Sequence, residues 1–357
     1  MEECRARRLA ALRAAMGREG VDAVLAESAA NVYYMSGFTG TSGALLITAG
    51  EQYLLTDSRY LEQAEIEAVG FAARDTQKNF FGRMAGIVPP DAVWGLEDEA
   101  MTISRHAAWR EAFPQARERR FSAFLTAARQ VKDTKELEIM RRGVAVTDEA
   151  FRYILGEMGA GVTENYIARR IEYFLRDHGA SMPAFTFIVA SGARGAMPHG
   201  TATDKPLSVG DLVVMDFGGV FSGYHSDFTR TVCVGRADAW QREIHAVTLE
   251  AQLAGVAALR AGRSGREVDA AARDVIRAAG YGEYFTHSLG HSLGLEIHEK
   301  PVLSEKEDAR LEAGMLITVE PGIYLPGRGG VRIEDVALVT ESGAEVLTQS
   351  PRELIIV

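Results

Sequence analysis

Four acidic residues stand where a buried β-strand normally carries apolar side chains. They are Asp216, Glu320, Glu334 and Asp335. The first ends the apolar run 212–215, the second ends the largely apolar run 316–319, and the last two interrupt the apolar segment 331–339. Burying an ionised carboxylate costs several kcal/mol unless it is paired or bound to a metal. Too few lysines and arginines lie nearby in the sequence to pair with all four, so the pattern favours bound cations.

The spacing of the acids predicts two carboxylate pairs on two β-hairpins. Directly opposed residues of a hairpin have residue numbers with a constant sum, and their side chains share one face. The midpoint between Asp216 and Asp227 falls in the glycine-rich segment 218–223, and that between Glu320 and Glu334 falls in the glycine-rich segment 326–330. Each hairpin is therefore expected to present two carboxylates on one face, unless a bulge shifts the register.

Divalent metal ions fit this pattern best, because two of them balance the charge of four carboxylates. Oxygen ligands with a histidine favour Mn²⁺, with Co²⁺ or Zn²⁺ as alternatives. Two such ions a few ångströms apart activate a bridging hydroxide and polarise a carbonyl, so metal-assisted hydrolysis is the predicted reaction class. The competing interpretation, incidental acids on surface-facing strand ends, would have to hold for two separate segments.

A histidine-rich segment is the other candidate for metal binding. Three of the eight histidines fall within twelve residues, namely His287, His291 and His298. The first two have the i, i+4 spacing of a zinc-binding helix, but the adjacent glutamate is missing and two glycines make a helix doubtful. His199 lies in a Met-Pro-His-Gly sequence, which is either part of a site or an ordinary turn.

Composition excludes several classes of function. The chain has 357 residues and a net charge of −10 without a long basic run, which argues against binding nucleic acid or an anionic membrane. No apolar stretch is long enough for a membrane span, and the N-terminus lacks a signal-peptide core. The only cysteines are Cys4 and Cys233, so a disulfide scaffold is excluded and a cytoplasmic location is expected.

The first third of the chain is predicted to form an α/β domain, because helix and strand patterns alternate there. A helix carrying Leu9, Leu12 and Met16 is followed by strands at 21–25, 44–48 and 53–56, a helix at 61–69 and a strand near 96. We expect an α/β domain over residues 1–127 and a second domain over residues 128–357. The glycine-rich loop 37–43 lacks the lysine of a phosphate-binding loop, which disfavours nucleotide binding.

The second domain contains an internal repeat with an offset of about 100 residues. Thr163 and Ser264 are suited to cap two helices, which run to glycine stops at Gly179 and Gly280. A strand hairpin follows each helix, at 212–234 and at 316–339. Such a repeat predicts two similar halves packed face to face with a site between them.

These motifs resemble the "pita-bread" metallopeptidases, which include methionine aminopeptidase, prolidase and aminopeptidase P. The resemblance covers residues 133–357 and rests on four motifs in order: Asp-Phe-Gly-Gly with Gly-Tyr-His-Ser-Asp-Phe-Thr-Arg-Thr, Gly-His-Ser-Leu-Gly-Leu-Glu-Ile-His-Glu, Val-Glu-Pro-Gly-Ile-Tyr and Val-Arg-Ile-Glu-Asp. It implies an α+β catalytic domain with an internal pseudo-two-fold repeat. It also implies five metal ligands: Asp216, Asp227, His291, Glu320 and Glu334.

The resemblance implies roles for other side chains as well. His199 and His298 match the histidines that contact substrate and stabilise the transition state, and Glu320 would also shuttle protons as a general base. His287 matches a further histidine of the substrate pocket. Arg332 shares a strand face with Glu334 and is expected to orient a carboxylate of the site or of the substrate. Tyr224 is expected to donate a hydrogen bond to a residue that binds metal.

The first third resembles the creatinase/prolidase N-terminal domain through residues 31–40 and 55–60. Methionine aminopeptidases lack this domain, and creatinase lacks the metal ligands, so the Xaa-Pro peptidases remain. Segments 38–43 and 188–192 favour aminopeptidase P, which removes the residue before a proline, over the alternative of an Xaa-Pro dipeptidase. A remote alternative is a non-catalytic peptide-binding module. The resemblance further implies substrates with proline at the second position and a homodimer.

Overall fold

The computed structural model describes residues 2–77 and 79–357. The chain divides into two compact units, Met1–Arg129 and Gln130–Val357. Among the described residues, no helix combines the length and apolar character needed to span a bilayer.

The first unit is a six-stranded mixed sheet with helices. Its strands are β1 (Ala23–Ala26), β2 (Ala44–Thr48), β3 (Gln52–Thr56), β4 (Ala72–Asp75), β5 (Val93–Leu96) and β6 (Arg117–Arg120), in the order β4-β3-β2-β1-β5-β6. Its helices are α1 (Glu2–Glu19), α2 (Ala29–Ser36), α3 (Leu61–Glu67), α4 (Ile103–Ala112) and α5 (Ser122–Gln130), with a 3₁₀ turn at Phe81–Arg83. The first strand starts two residues later than expected, because the Val21 N–H still closes the end of α1 on the Met16 carbonyl (2.9 Å).

The second unit consists of four helices around four small sheets. Its helices are α6 (Thr134–Leu155), α7 (Glu164–Asp177), α8 (Ala239–Ala258) and α9 (Gly265–Ala278), with 3₁₀ turns at Gly192–Ala196 and Gly282–Tyr284. Its strands are β7 (Met182–Pro183), β8 (Ile188–Ser191), β9 (Leu212–Asp216), β10 (Gly219–Phe221), β11 (Tyr224–His225), β12 (Thr229–Cys233), β13 (Gly290–Ser292), β14 (Glu299–Leu303), β15 (Leu316–Val319), β16 (Gly322–Leu325), β17 (Gly329–Arg332), β18 (Asp335–Val339) and β19 (Ala344–Val346). The sheet orders are β12-β9-β8, β11-β10-β7, β14-β13-β15-β18-β19 and β16-β17.

The internal repeat is visible in the local structure of the two halves. The Thr163 side chain caps α7 by accepting from the Tyr166 N–H, and Ser264 caps α9 by accepting from the Glu267 N–H. Each cap residue also forms an isolated antiparallel bridge, Thr163 to Pro206 and Ser264 to Arg310. Each half has its own buried core, one centred on α7 and β9 and the other on α9 and β15.

The second hairpin has the register that the sequence predicts. The pairs Val319–Asp335 and Gly322–Arg332 belong to one continuous register. Glu320 and Glu334 lie between these pairs and are directly opposed, so they share a face.

The first hairpin departs from the predicted register by two residues. Asp216 pairs with Thr229, not with Asp227, and Phe221 pairs with Tyr224. The turn is therefore centred on Ser222 and Gly223. A shift of two residues preserves the face of every side chain, so Asp227 still lies on the same side as Asp216.

Gly218 lies opposite Asp227, where the hairpin backbones approach closely. A Cβ atom on Gly218 would lie 1.9 Å from the Ser226 carbonyl oxygen. Only glycine fits this position.

Candidate active site

Three carboxylates from the two hairpins meet in the second unit. Asp216, Asp227 and Glu334 each offer an oxygen atom, and these atoms lie within 4.8 Å of one another. Asp216 ends β9, Asp227 lies between β11 and β12, and Glu334 lies between β17 and β18. The first two belong to the first half of the repeat and the third belongs to the second half, so this group exists only where the halves meet.

Glu320 and His291 adjoin the three carboxylates. The Nε2 atom of His291, on β13, lies 3.5 Å from Asp227 Oδ2 and 3.4 Å from Glu320 Oε1. These five residues are called the five-residue cluster below. They are the five that the resemblance assigns as metal ligands.

The His291 ring is oriented as a metal ligand requires. Its Nδ1 atom lies 3.1 Å from the Ser292 carbonyl oxygen, and an N–H at Nδ1 donates to that oxygen. The Nε2 lone pair then faces the carboxylates. Burial, together with nearby His298, lowers the pKa of His291 to about 4, so the imidazole is neutral at neutral pH.

Burial makes ionisation of the clustered carboxylates costly. It raises the pKa of Glu320 to about 8 against the lowering effect of Arg332. Burial and the neighbouring carboxylates raise the pKa values of Asp227 and Glu334 well above the usual range, and burial also raises the pKa of Asp216. The cluster is therefore short of positive charge.

The donor atoms fit divalent metal ions. Asp216 Oδ1 and Glu334 Oε1 are buried, and within the part of the chain that the structure describes they accept no hydrogen bond. Unsatisfied buried carboxylate oxygens are destabilising unless a cation binds them. Oxygen donors with one imidazole are a set that Mn²⁺, Co²⁺ and Zn²⁺ accept.

Arg332 orients the cluster from one side. Its Nη2 donates to Asp216 Oδ2 (2.5 Å), its Nη1 donates to the Tyr324 hydroxyl (2.8 Å), and its Nε donates to the Thr229 hydroxyl (3.2 Å). The Thr229 hydroxyl in turn donates to Glu334 Oε2 (2.8 Å). Arg332 therefore contacts a carboxylate of the cluster directly, as its expected orienting role requires.

The cluster lies at the wall of a cavity of about 560 Å³. The three further predicted histidines, His199, His287 and His298, line the same cavity. Its other walls include the apolar side chains of Phe185, Ile188, Ile297 and Val302.

The cavity histidines differ in how they are held. The His287 ring lies between the Ser288 carbonyl oxygen (2.8 Å from Nδ1) and the Tyr324 hydroxyl (2.9 Å from Nε2), and burial lowers its pKa to about 4. The His298 ring packs edge-on against His291 with centroids 4.4 Å apart, and burial lowers its pKa as well.

Tyr224 does not lie where it was expected. Its buried hydroxyl donates to Glu136 Oε1 (2.9 Å), in the capping box that begins α6, and Tyr224 does not line the cavity. Tyr224 and Asp227 are three positions apart on one hairpin arm, and an odd offset puts their side chains on opposite faces.

Two family models match the chain. Residues 138–341 match metallopeptidase family M24, and residues 8–131 match the creatinase/prolidase N-terminal domain. The chain belongs to metallopeptidase family M24. The expected fold class and the expected metal-dependent peptidase class are confirmed by this membership, and divalent metal ions are implied for the site.

Several M24 relatives resemble the chain along nearly its whole length. An Xaa-Pro dipeptidase of Pyrococcus furiosus is 38% identical over 342 residues, which are 95% of this chain and 97% of that protein. The solved structure of an Xaa-Pro dipeptidase from Bacillus anthracis is 42% identical with a TM-score of 0.95, covering 99% of this chain and 100% of that chain. The structure of an X-Pro aminopeptidase from Thermotoga maritima is 37% identical with a TM-score of 0.91, covering 97% and 98%.

Three side chains that support the M24 site were not predicted from the sequence. They are Thr229, Thr318 and Tyr324. Thr318 donates to Glu320 Oε1 (3.2 Å), and Thr229 and Tyr324 both accept hydrogen bonds from Arg332. The period of two along a strand could have found the two threonines, because Thr318 is two residues from Glu320 and Thr229 is two residues from Asp227.

Proposed function

We propose that the chain is an Xaa-Pro dipeptidase, which hydrolyses the bond between a first residue and a following proline. The observation that carries the proposal is the five-residue cluster at the wall of a cavity that also holds three histidines and apolar side chains. Membership of family M24 and the names of relatives in Pyrococcus furiosus and Bacillus anthracis support it.

The five-residue cluster would hold two divalent ions, and we propose Mn²⁺. When bound, such ions lower the pKa of a water molecule toward neutral pH and polarise a substrate carbonyl. The raised pKa values of the clustered carboxyl groups, which reflect a shortage of positive charge, and the two oxygens that accept no hydrogen bond support this occupancy.

Glu320 is placed to move the proton of the reaction. Its Oε1 accepts from the Thr318 hydroxyl, and its Oε2 lies 4.0 Å from the Arg332 Nε, so both oxygens are oriented. In this role Glu320 accepts a proton from the attacking water and delivers it to the proline nitrogen as the bond breaks.

The cavity histidines supply hydrogen bonds to the substrate. Burial lowers the pKa of His298, which keeps the ring neutral at neutral pH with one N–H to donate. We assign His298 and His199 to the carbonyl oxygen on which negative charge develops. His287 is held by Tyr324, on the Arg332 side of the cavity, and is assigned to substrate binding.

The proline specificity follows from the same residues. An Xaa-Pro bond has no N–H, so it cannot be recognised through that donor. None of the assigned side chains needs the N–H. The ring can pack against the apolar wall formed by Phe185, Ile188 and Val302.

Aminopeptidase activity on longer peptides is the second candidate. The sequence segments 38–43 and 188–192 favoured it, and the X-Pro aminopeptidase of Thermotoga maritima supports it. The two candidates differ in whether a residue after the proline is accepted.

Peptide hydrolysis by metal-stripped protein tests both candidates. Gly-Pro, Gly-Pro-Pro and the control Gly-Ala would be offered after adding back Mn²⁺, Co²⁺ or Zn²⁺. Cleavage of Gly-Pro alone supports the dipeptidase, and release of glycine from Gly-Pro-Pro supports the aminopeptidase. Stoichiometric metal binding without cleavage of any Xaa-Pro peptide would replace both with the peptide-binding module.

A further inference from the structure

Glu164, the first residue of α7, has a fully buried side chain with many hydrogen-bond donors around it. Its Oε1 accepts from the Ser191 N–H (2.8 Å) and the Ser191 hydroxyl (2.7 Å). Its Oε2 accepts from the Thr203 N–H (3.0 Å) and the Thr203 hydroxyl (2.7 Å), and Arg194 forms an ion pair with the same oxygen. Burial opposes ionisation, but the hydrogen bonds from Thr203 and Ser191 hold the pKa of Glu164 below its usual value.

These contacts tie both ends of one segment to a single carboxylate. The segment runs from residue 191 to residue 203 and carries His199 near its middle. Arg194 strengthens the tie, because its Nη2 donates to the Thr201 carbonyl oxygen (2.6 Å) inside the segment. We call residues 191–203 the histidine loop.

The position of His199 depends on the backbone of the histidine loop. Its side chain is exposed at the cavity, and among the described residues its ring makes no hydrogen bond. The preceding residue, Pro198, has its carbonyl oxygen 3.1 Å from the Arg332 Nη1, so the loop also contacts the five-residue cluster through Arg332.

The second half of the repeat shows that the fold does not need an acid at this position. Gly265 is the first residue of α9, where α7 has Glu164. The backbone contacts are equivalent, because the Glu164 N–H donates to the Lys205 carbonyl (3.1 Å) and the Gly265 N–H donates to the Ala309 carbonyl (3.2 Å). The same helix start and bridge therefore form without a carboxylate.

We propose that Glu164 is a positioning residue for catalysis, which holds the histidine loop so that His199 meets the substrate. This inference rests on the proposed function, because it assigns the effect of Glu164 to His199. The carboxylate has four lone-pair positions for two backbone N–H groups and two hydroxyl groups, and Arg194 supplies the compensating charge.

The variant Glu164→Gln tests the proposal, since it keeps the size of the side chain but replaces one acceptor oxygen with an NH₂ group. That group would face donors at either Ser191 or Thr203, so one end of the histidine loop is released. We expect kcat for Gly-Pro to fall by roughly ten- to a hundredfold, as small displacements of catalytic groups do, with KM and metal content changing by less than about threefold. The matched control Glu267→Gln, at the start of α9, should leave kcat unchanged.

A double variant separates positioning from a general structural effect. If Glu164 acts through His199, adding Glu164→Gln to the His199→Ala variant should lower kcat by less than about threefold. An equal loss in both backgrounds, or a loss of kcat that follows a loss of metal, would overturn the proposal.

Amide hydrogen exchange gives an independent readout of the histidine loop. Glu164→Gln should accelerate exchange in residues 191–203 and leave exchange in α9 unchanged, and unchanged exchange in the loop would contradict the proposal. Should Glu164→Gln fold poorly, Arg194→Gln removes the ion pair and the hydrogen bond to the Thr201 carbonyl oxygen, leaves the Glu164 carboxylate in place, and should move both readouts in the same direction. If His199→Ala keeps full activity, the role assigned to His199 is wrong. A lower kcat in Glu164→Gln would then overturn this inference as well, because the effect could not act through His199. Cleavage of Gly-Pro by the unaltered enzyme would still support the proposed function.

Discussion

At the scale of single residues, Glu334 and Asp335 are chain neighbours whose side chains lie on opposite faces. Glu334 belongs to the five-residue cluster. Asp335 accepts from Arg230 Nη2 (2.9 Å), Gln252 Nε2 (2.6 Å) and Arg352 Nε (2.5 Å), and so its charge is already compensated. The hairpin pattern distinguished the two acids in the sequence, because only Glu334 falls opposite Glu320.

Substitutions of these two neighbouring acids should therefore have different effects. We expect Glu334→Gln to reduce metal affinity by at least about a hundredfold, because loss of a metal ligand weakens binding more than loss of a residue that orients a ligand. Asp335→Asn should leave metal stoichiometry intact but cost about 3–5 kcal/mol in unfolding free energy, because Arg230 stays buried and loses the carboxylate that balances its charge. Metal analysis and urea unfolding measure the two effects, and metal loss in Asp335→Asn would contradict the assignment.

The raised carboxyl pKa values predict how pH affects the metal-free protein. A carboxyl group with a raised pKa in the folded state stabilises the fold below its unfolded pKa and loses that contribution as pH rises through the folded value, about 8 for Glu320. The buried neutral histidines His287 and His291, with pKa values lowered to about 4, act in the opposite direction only below their unfolded value of about 6.5.

We expect the stability of the metal-free protein to fall between pH 6.5 and 8 by about 1.4 kcal/mol per pH unit for each proton that the folded state retains. The protein loaded with Mn²⁺ is the control, because bound ions replace those protons and should flatten the curve. Denaturant unfolding across this range measures both forms. A metal-free stability that is constant or rises with pH would count against protonated carboxyls in the cluster.

At the scale of elements, the sequence predicted one hairpin register correctly and the other wrongly. For 316–339 the acids are directly opposed, as assumed. For 212–234 the turn is set by Ser222 and Gly223, which both have positive φ (49° and 85°), as a two-residue type I′ turn requires. The predicted register, with Asp216 directly opposite Asp227, differs from the observed pairing by two residues. The face of Asp227 was still predicted correctly, because a shift by an even number of residues keeps the alternation of side chains.

A buried ion pair at the start of the second unit fixes the other histidine-bearing segment. Lys132 Nζ donates to Glu299 Oε2 (3.1 Å), with side chains 1% and 2% exposed. Glu299 begins β14 and directly follows His298. No sequence pattern pointed to this pair, because the two residues are far apart in the chain.

Removing one partner of this pair should be costly. Lys132→Met removes a buried ammonium group that lies 3.1 Å from Glu299 Oε2, and we expect a loss of about 3–5 kcal/mol in unfolding free energy. The matched control is Lys135→Met, whose exposed pair with Glu138 contributes at most about 1 kcal/mol. Equal effects of the two variants in urea unfolding would show that the buried pair is not the stronger one.

At the scale of the molecule, both halves of the repeat contribute to the five-residue cluster. Asp216 and Asp227 come from one half, and His291, Glu320 and Glu334 come from the other. The repeat and its offset could be predicted from the sequence, because caps and glycine stops are local signals. The contacts of Glu164 could not, because they join a helix start to a loop through tertiary packing.

Metal binding should therefore stabilise the second unit as a whole. At free metal of about a hundred times Kd, binding adds about 2.7 kcal/mol, or roughly 5–10 °C in Tm for a unit of this size. Calorimetry with Mn²⁺ and with a chelator measures the difference, and Glu334→Gln is the control that should respond little. A chelator that leaves Tm of the unaltered protein unchanged would argue against a site shared by the two halves. The homodimer expected from the resemblance stays a prediction that sedimentation can test.

The two hairpins also set a rule for how this chain can tolerate insertions and deletions. In one hairpin the second acid lies directly opposite the first, and in the other it lies two positions nearer the turn, yet both hairpins bring their carboxylates to the five-residue cluster. Gaining or losing two residues between a ligand and its strand keeps the alternation of side chains, whereas one residue inverts it. Lineages of this protein should therefore accumulate even-numbered length changes in these arms, and an odd-numbered change that no β-bulge absorbs should coincide with loss of catalysis.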